Sequence, residues 1–336
     1  MKKMLALLLT LLMVFTLVAC GNDGESQSDE ETAVTLTLGS TDLNEDGPYN
    51  TATRLAKEYL EDIGSSVTLD IQTGGVLGGE RELIESTLAG TIEICQTSDM
   101  LISSFIPQMS FLTFPGVMKD YDDVVEMFQN GWVGEEVERI LDENDLVYLG
   151  VTDNSFRMLS NSKHEVVAPD DVKDILLRVP EIDIMLDFWA EMGVQTTPIA
   201  YGELATALQQ GVVDGQEMGL TTYTIQNFYE FNKYYTELNY AYSGGITMMN
   251  KAAFESLSEK QQKELKEAFA YGNDEAMKLE IEKKQDYRDK LEEEGVIRSE
   301  ASQELQDKIV EIGKKLANSD RWAPILGEDL IKKMYP

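Results

Sequence analysis

Five successive segments of the chain alternate between the hydrophobic spacing of a strand and that of a helix. Apolar residues recur at every second position in the strand-like segments and at every third or fourth position in the helix-like ones. The segments are, in order, 34–38, 49–64, 67–71, 80–90 and 92–94. This β-α-β-α-β order predicts an α/β fold with a mainly parallel sheet covered by helices. Sheets of this kind bind ligands at the carboxyl ends of their strands.

A similar pattern of helix, glycine and strand occurs again 121 residues later. Five positions of the first copy match five of the second: Glu82/Glu203, Leu83/Leu204, Gly90/Gly211, Ile92/Val213 and Glu93/Asp214. Two similar α/β halves would produce this pattern. Any helix that ends at a glycine before a strand would also produce it, so both interpretations stay open.

A long helix is predicted near the C-terminus. Ser258 and Gln261 fit a capping box, and helical spacing continues to about Leu291, before Gly295. At 1.5 Å per residue this helix is roughly 50 Å long, enough to cross both halves. A coiled-coil arm is the alternative, but Gly272 interrupts the pattern and no heptad repeat is sustained.

The N-terminal segment has the layout of an export signal. Two lysines precede an uncharged run over 4–19, which is short for a membrane-spanning helix. Its end at Cys20 resembles a bacterial lipoprotein lipobox, in which the cysteine is acylated. We therefore predict a lipoprotein signal peptide at 1–19, lipidation at Cys20 and a flexible acidic tether over 20–32. Cys95 would be the only other thiol, so no intramolecular disulfide is expected.

The net charge limits which partners the chain can have. With 28 Lys+Arg against 61 Asp+Glu, the formal charge is −33, which repels nucleic acids and anionic lipid surfaces. A small anion would need a site where positive charge is concentrated locally. Arg178 is a candidate because it lies in the short apolar strand pattern 174–180. The alternative is a solvated arginine on a half-exposed strand.

The sequence offers little for catalysis. His164 is the only histidine and lies in a turn-rich segment, so a Ser-His-Asp or Cys-His site would depend on a loop residue. A zinc site of the usual His/Cys kind lacks ligands. The glycines of 74–79 match neither a Walker phosphate-binding loop nor a dinucleotide fingerprint. We predict no enzymatic activity, no metal and no cofactor.

Four segments together resemble the solute-binding subunit of tripartite ATP-independent periplasmic (TRAP) transporters, the DctP-like family. They are 74–85, 90–93, 177–180 and 207–217. The resemblance implies a two-lobed, periplasmic-binding-protein-like (type II-like) α/β fold with an interlobe cleft and a long helix spanning both lobes. On that fold the lobes would comprise 33–153 plus 244–283 (lobe I) and 154–243 plus 284–336 (lobe II).

The same resemblance implies a function in uptake. The protein would be a monomer, held outside the cytoplasm at the membrane by its N-terminal lipid. It would capture a small organic acid and deliver it to the TRAP membrane permease. A binding protein of an ABC importer, a sensor and a secreted hydrolase are the alternatives.

The resemblance also implies roles for individual residues. Arg178 falls on the family's Arg-Val-Pro segment, whose arginine projects into the cleft and holds the substrate carboxylate. Arg157 matches a second arginine that can touch the ligand, and Tyr201 matches an aromatic residue that packs on it. Glu80 and Ser98 fall near positions that line the other lobe.

The segment after Glu217 departs from the family pattern. Met218 stands where relatives carry an asparagine that contacts the ligand, and Ala205 stands where a tyrosine is common. A thioether cannot donate a hydrogen bond, so we expect Met218 to line the cleft and to alter the ligand preference. From the sequence we predict that one end of the ligand carries a carboxylate, and we predict nothing about the rest of it.

Overall fold

The computed structural model of the protein describes residues 31–336, and both the predicted signal peptide and Cys20 lie outside them. The described strands are β1 (Val34–Ser40), β2 (Val67–Gln72), β3 (Ile94–Ser98), β4 (Leu146–Asn161), β5 (Leu176–Val179), β6 (Gln195–Pro198), β7 (Gly215–Gly219), β8 (Tyr234–Glu237), β9 (Tyr242–Asn250) and β10 (Ile297–Glu300). The strand predicted at 92–94 begins only at Ile94, because the amides of Thr91 and Ile92 still bond to Ser86 O at the end of the preceding helix.

The helices connect these strands and cover the sheet. They are α1 (Pro48–Asp62), α2 (Glu80–Leu88), α3 (Asp99–Ile102), α4 (Tyr121–Gln129), α5 (Trp132–Asp142), α6 (Asp183–Glu191), α7 (Leu204–Gln209), α8 (Leu220–Ile225), α9 (Lys251–Glu255), α10 (Glu259–Glu293), α11 (Gln303–Ala317), α12 (Ala323–Leu326) and α13 (Glu328–Met334). Within residues 31–336, none of them combines the length and the apolar composition needed to cross a bilayer.

The strands form two α/β lobes that share β4. In the first lobe the strand order is β2-β1-β3-β9-β4, and β1, β2 and β3 are parallel. In the second lobe β4 continues beside β7, followed by β5 and β6, while β8 pairs with the same part of β4 and β10 pairs with β8. The predicted α/β fold with two lobes is confirmed.

Strand direction decides where the lobes can bind a ligand. Because β9 is antiparallel to both β3 and β4, the strands β1–β3 run in the direction of β4, toward the second lobe. Strand β7 is antiparallel to β4, and β5 and β6 run parallel to β7, back toward the first lobe. The carboxyl ends of the two sets of strands therefore face each other, as expected of a cleft that binds ligands.

The predicted repeat has a structural counterpart. The segment β3–α3 and the segment β7–α8 begin 121 residues apart, at Ile94 and Gly215. Each follows a helix that ends near a glycine with a left-handed backbone, Gly90 (φ 69°) and Gly211 (φ 66°). Glycine adopts this conformation at little cost, so the same turn leads into the inner strand of each lobe.

Helix α10 extends from one lobe to the other. The Ser258 hydroxyl accepts a hydrogen bond from Gln261 N (3.2 Å), and Gln261 Oε1 accepts one from Ser258 N (3.0 Å), as the capping box predicts. Early in the helix, Leu265 packs in the core of the first lobe, whereas Leu291 packs in that of the second. A Cβ atom at Gly272 would lie 2.3 Å from Ala52 O, so α10 and α1 meet backbone to backbone.

Candidate functional site

The two walls of the cleft meet at the level of residues 152–157 of β4. At this level, the last residue of β3, Ser98, pairs with Gly245 of β9, and Gly245 pairs with Thr152. On the other side, the last residue of β7, Gly219, pairs with Arg157. The residues at these strand ends therefore border the same space.

Arg178 lies on the wall formed by the second lobe. Its strand, β5, is flanked by β6 and β7, and only 3% of the residue is exposed. Arg178 Nε donates a hydrogen bond to Ile199 O (2.9 Å), and the side chain forms no salt bridge within residues 31–336. Burial lowers the pKa of the guanidinium to about 10, although the Glu217 charge acts in the opposite direction. The alternative of a solvated arginine on a half-exposed strand is wrong.

Arg157 lies on the same wall, but its charge is balanced. Its Nη2 donates to Glu217 Oε1 (2.8 Å) and to the backbone oxygen of Glu217 (2.7 Å), and its Nε donates to Oε2 (2.5 Å). The Tyr240 hydroxyl also donates to Oε2 (2.6 Å). Burial alone would lower the pKa of Arg157, yet the adjacent Glu217 carboxylate raises it above the usual value. This bidentate pair therefore adds little net charge to the cleft.

Tyr201 lies at the edge of this wall. It begins a short turn of 3₁₀ helix after β6 and is 52% exposed, with its ring centroid 6.4 Å from that of Phe228. Burial raises the pKa of the Tyr201 hydroxyl, while Arg178 and Asp42 act on it with opposite charges. Tyr201 thus lies within electrostatic reach of Arg178 in its own lobe and of Asp42 in the other.

Glu80 and Ser98 meet on the wall formed by the first lobe. Ser98 N donates to Glu80 Oε1 (2.8 Å), and the Ser98 hydroxyl donates to Oε2 (3.0 Å). The next residue, Asp99, is fully buried, and its Oδ2 accepts a hydrogen bond from Gly244 N (2.9 Å). Burial raises the pKa of both carboxyl groups, that of Asp99 to about 7.

Met218 lies in an apolar environment. It is 3% exposed and belongs to the apolar cluster of the second lobe, together with Met158 and Leu204. Successive side chains of a strand point to opposite faces, so Met218 and Glu217 point in opposite directions. The structure thus brings Arg178, Arg157 and Tyr201 to one wall, and Glu80 and Ser98 to the other, while Met218 is packed within its lobe. Its effect on ligand preference stays a prediction.

Four polar residues of the site were not predicted from the sequence. Glu217 and Tyr240 hold Arg157, whereas Asp42 and Asp99 belong to the opposite wall. For Asp42 and Asp99 a partial signal was present, because both lie within five residues after the carboxyl end of a predicted strand, and Asp99 directly follows β3. For the partners of Arg157 there was none, since Glu217 is 60 residues away.

A buried ionic cluster lies where β4 passes between the lobes. The pairing of β4 with β9 shifts register between Asp153 and Phe156, and Ser155 has a left-handed backbone (φ 83°). Lys284 Nζ from α10 lies 3.0 Å from Asp153 Oδ2 and donates to Thr221 Oγ1 of α8 (2.7 Å). The cluster therefore links β4, the long helix and the second lobe.

Residues 39–320 match the model of the DctP family, described as bacterial extracellular solute-binding protein, family 7. Among curated proteins, a solute-binding protein from Verminephrobacter eiseniae is 33% identical over 202 residues, covering 60% of each chain. The chain spans 60% of the length of this relative and 63% of the length of a second one, a solute-binding protein from Chromohalobacter salexigens.

Solved structures share the fold over a greater length. A TRAP periplasmic solute binding protein from Ochrobactrum anthropi, with its C-terminus bound in the ligand-binding pocket, is 21% identical and has a TM-score of 0.84 over 90% of this chain and 94% of its own. A sugar acid binding protein from Advenella mimigardefordensis, in complex with galactonate, is 26% identical with a TM-score of 0.79, over 91% of this chain and 97% of its own. The similarity to these two structures agrees with the fold of two facing lobes described above.

Proposed function

The chain belongs to the DctP family of bacterial extracellular solute-binding proteins, and we propose that it captures a small organic acid between its lobes and delivers it to the membrane permease of a TRAP transporter. The observation that carries this proposal is Arg178, a buried cation without a carboxylate partner in the described chain. Burying a charge is costly unless it is paired. A ligand carboxylate would supply the missing partner.

The chemistry of the two arginines favours an anionic ligand at Arg178 rather than at Arg157. A planar guanidinium matches a carboxylate in two parallel hydrogen bonds, and these are stronger where water is excluded. Glu217 already occupies Arg157 in this way. Only the Nε of Arg178 donates to a described residue, so the rest of the group is available to a ligand.

The other predicted residues complete the proposed site. We place Arg157 and Tyr201 beside the ligand on the second lobe, Glu80 and Ser98 on the first, and Met218 as a residue that shapes the second wall. The lobes would be 33–153 plus 244–283 and 154–243 plus 284–336. Closure of such lobes over a ligand that contacts both walls would shift the protein from an open to a closed state.

Calorimetric titration with galactonate, threonate, tartrate, succinate and 4-hydroxybutanoate tests the proposal. At least one of these acids should bind, and Arg178→Ala should weaken it by about 2 to 5 kcal/mol because the ligand charge loses its buried partner. Arg178→Lys should also weaken it, since an ammonium cannot form the bidentate pair. Arg54→Ala, at an exposed arginine of α1, is the control and should bind as wild type does. Equal affinity in wild type and Arg178→Ala would contradict the proposal.

We further propose that the protein binds its ligand without transforming it. The family to which the chain belongs is described as one of solute-binding proteins, which supports this proposal. Incubation with each acid that binds, followed by chromatography, should return the acid unchanged. Accumulation of a product would instead support a hydrolase.

The proposed anchor is Cys20, which lies outside the described residues. Acylation of Cys20 would hold the protein, as a monomer, at the outer face of the membrane near its permease. Labelled fatty acid should enter the wild-type protein and membranes should retain it. Cys20→Ala should lose both properties, and equal labelling of the two proteins would show that Cys20 is not the acylated residue.

A further inference from the structure

The wall opposite Arg178 is acidic. Asp42 follows β1, Glu80 begins the helix after β2, and Asp99 follows β3, so each lies beyond the carboxyl end of a parallel strand. None of the three forms a salt bridge with a basic residue in the described part of the chain. Their hydrogen bonds come from uncharged groups, including Asn44 N to Asp42 Oδ1 (3.0 Å). Three carboxyl groups thus face a cleft whose other wall carries Arg178.

The charges of all three carboxyl groups act on one residue, Tyr49. Its ring lies on β9 at the level of the cleft, because a Cβ atom at Gly245 would come within 2.3 Å of it. Burial raises the pKa of the Tyr49 hydroxyl, and the charges of Glu80, Asp99 and Asp42 raise it further. The three acids therefore lie within electrostatic reach of the same buried ring.

The two walls of the cleft carry different charges: one has a single unpaired cation, and the other has three acidic residues. Of the three buried cationic side chains within residues 31–336, Arg157 is paired with Glu217, and Lys284 with Asp153 and Glu280. Arg178 is the one that can hold a ligand carboxylate. A second carboxylate on the same ligand would reach toward Asp42, Glu80 and Asp99, where like charges repel and little water screens them.

We infer that the cleft selects small monocarboxylates whose far end carries hydrogen-bond donors, either hydroxyl or ammonium groups, and that it rejects dicarboxylates through Asp42, Glu80 and Asp99. This inference rests on the proposed function. A carboxylate accepts hydrogen bonds and donates none when ionised, so the acidic wall recognises donors. Hydroxyl and ammonium groups are the donors that small organic acids offer.

Asp99 gives independent support for a donor on the ligand. Its Oδ1 is buried and accepts no hydrogen bond from the described residues, whereas its Oδ2 is held by Gly244 N. Buried polar atoms in folded proteins are almost always paired, by protein, by water or by a ligand. A ligand hydroxyl or ammonium that contacts this oxygen would pair it.

The experiment compares acids that differ only at the far end. Threonate carries a hydroxymethyl group where tartrate carries its second carboxylate. In the same way, 4-hydroxybutanoate carries a hydroxymethyl group where succinate carries its second carboxylate. A fifth acid, 4-aminobutanoate, carries an ammonium group at its far end. By calorimetric titration at pH 8, above the Asp99 pKa of about 7, we expect the monocarboxylate of each pair to bind at least 10-fold more tightly than its dicarboxylate. The preferred far-end group identifies the donor that the wall recognises.

Variants of the same size and shape test whether the three acidic residues cause the preference for monocarboxylates. Glu80→Gln, Asp42→Asn and Asp99→Asn remove charge while keeping shape, so each should reduce the preference for the monocarboxylate severalfold. Glu45→Gln, at an exposed acid of the same loop as Asp42, should leave the preference unchanged. A preference that moves equally in Glu45→Gln would overturn the assignment, because it would reflect the net charge of the protein.

The outcomes separate this inference from the proposed function. Dicarboxylates that bind as tightly as their partners, and that require Arg178, would overturn the inference and leave the proposed function intact. If none of the six acids binds, galactonate included, the proposed function fails and the inference fails with it.

Discussion

Lys284 of the long helix lies 3.0 Å from the Asp153 carboxylate of β4, and both residues are almost completely buried. Lys284 also lies 3.1 Å from Glu280 one helical turn away. Burial alone would lower the pKa of Lys284, but the neighbouring carboxylates raise it, so the side chain is charged at neutral pH. The pair joins the shared strand to the long helix at the passage between the lobes.

Replacing Lys284 should destabilise the protein strongly. Lys284→Met keeps much of the side-chain volume but leaves Asp153 and Glu280 as uncompensated buried charges, so we expect a loss of about 3 to 5 kcal/mol in the free energy of unfolding. Lys263→Met is the control, because Lys263 is exposed and its ion pair with Glu267 (3.7 Å) should be worth less than about 1 kcal/mol. Urea denaturation measures both, and equal midpoints would show that the cluster is not stabilising.

The pair of Arg157 and Glu217 should behave as a unit. Arg157→Met leaves Glu217 buried without its partner, at a cost of about 3 to 5 kcal/mol. The double variant Arg157→Met/Glu217→Gln removes both charges, so it should recover much of that loss. A double-mutant cycle by urea denaturation checks this, and additive losses would mean that the two side chains do not interact.

Gly272 should be a glycine that alanine cannot replace. Alanine normally stabilises a helix interior by about 1 kcal/mol relative to glycine. Here its Cβ atom would lie 2.3 Å from Ala52 O, so we expect Gly272→Ala to lose about 1 to 3 kcal/mol instead. Gly202→Ala, where a Cβ atom meets nothing within 4 Å, should change the melting temperature little. A more stable Gly272→Ala protein would contradict the close contact of α1 and α10.

Asp99 should make stability depend on pH. Its pKa is raised by burial to about 7, above the usual 3.8, so the folded protein holds a proton that the unfolded chain releases between these values. Stability should therefore fall as the pH rises from 4 to 7, by up to a few kcal/mol for this group.

Comparing the stability of Asp99→Asn with that of wild type across pH shows whether Asp99 causes this pH dependence. The variant keeps an acceptor for Gly244 N but cannot ionise, so it should be more stable than wild type at pH 8, with a difference that shrinks toward pH 4. Melting temperatures across this range measure the difference. A constant difference would mean that Asp99 does not titrate in this window.

Elements with local signals were predictable from the sequence. The strand at 34–38 and the helix that follows have the spacings of one buried face, and both form where predicted. The long helix begins at its capping box because the Ser258 hydroxyl and the Gln261 amide group satisfy amides that no helical bond reaches. These signals depend on residues at most a few positions apart.

The charge interactions of the site could not be predicted from signals between residues a few positions apart. The environment of Arg178 depends on flanking strands, and its own segment alone favoured a solvated side chain. Lys284 and Asp153 are 131 residues apart, so their contact exists only in the folded chain. Resemblance to the family located Arg178, but it gave no indication that Glu217 balances Arg157 or that Asp99 is buried.

Cys95 gives the folded protein a thiol that can report on its own unfolding. It is fully buried in the inner strand β3, and burial raises its pKa to about 12, so the reactive thiolate is scarce at neutral pH. A thiol-specific reagent should reach this sulfur only when the strand opens to solvent. In a Cys20→Ser chain, which retains one cysteine, the labelling rate would then give the opening free energy of the first lobe without an engineered probe.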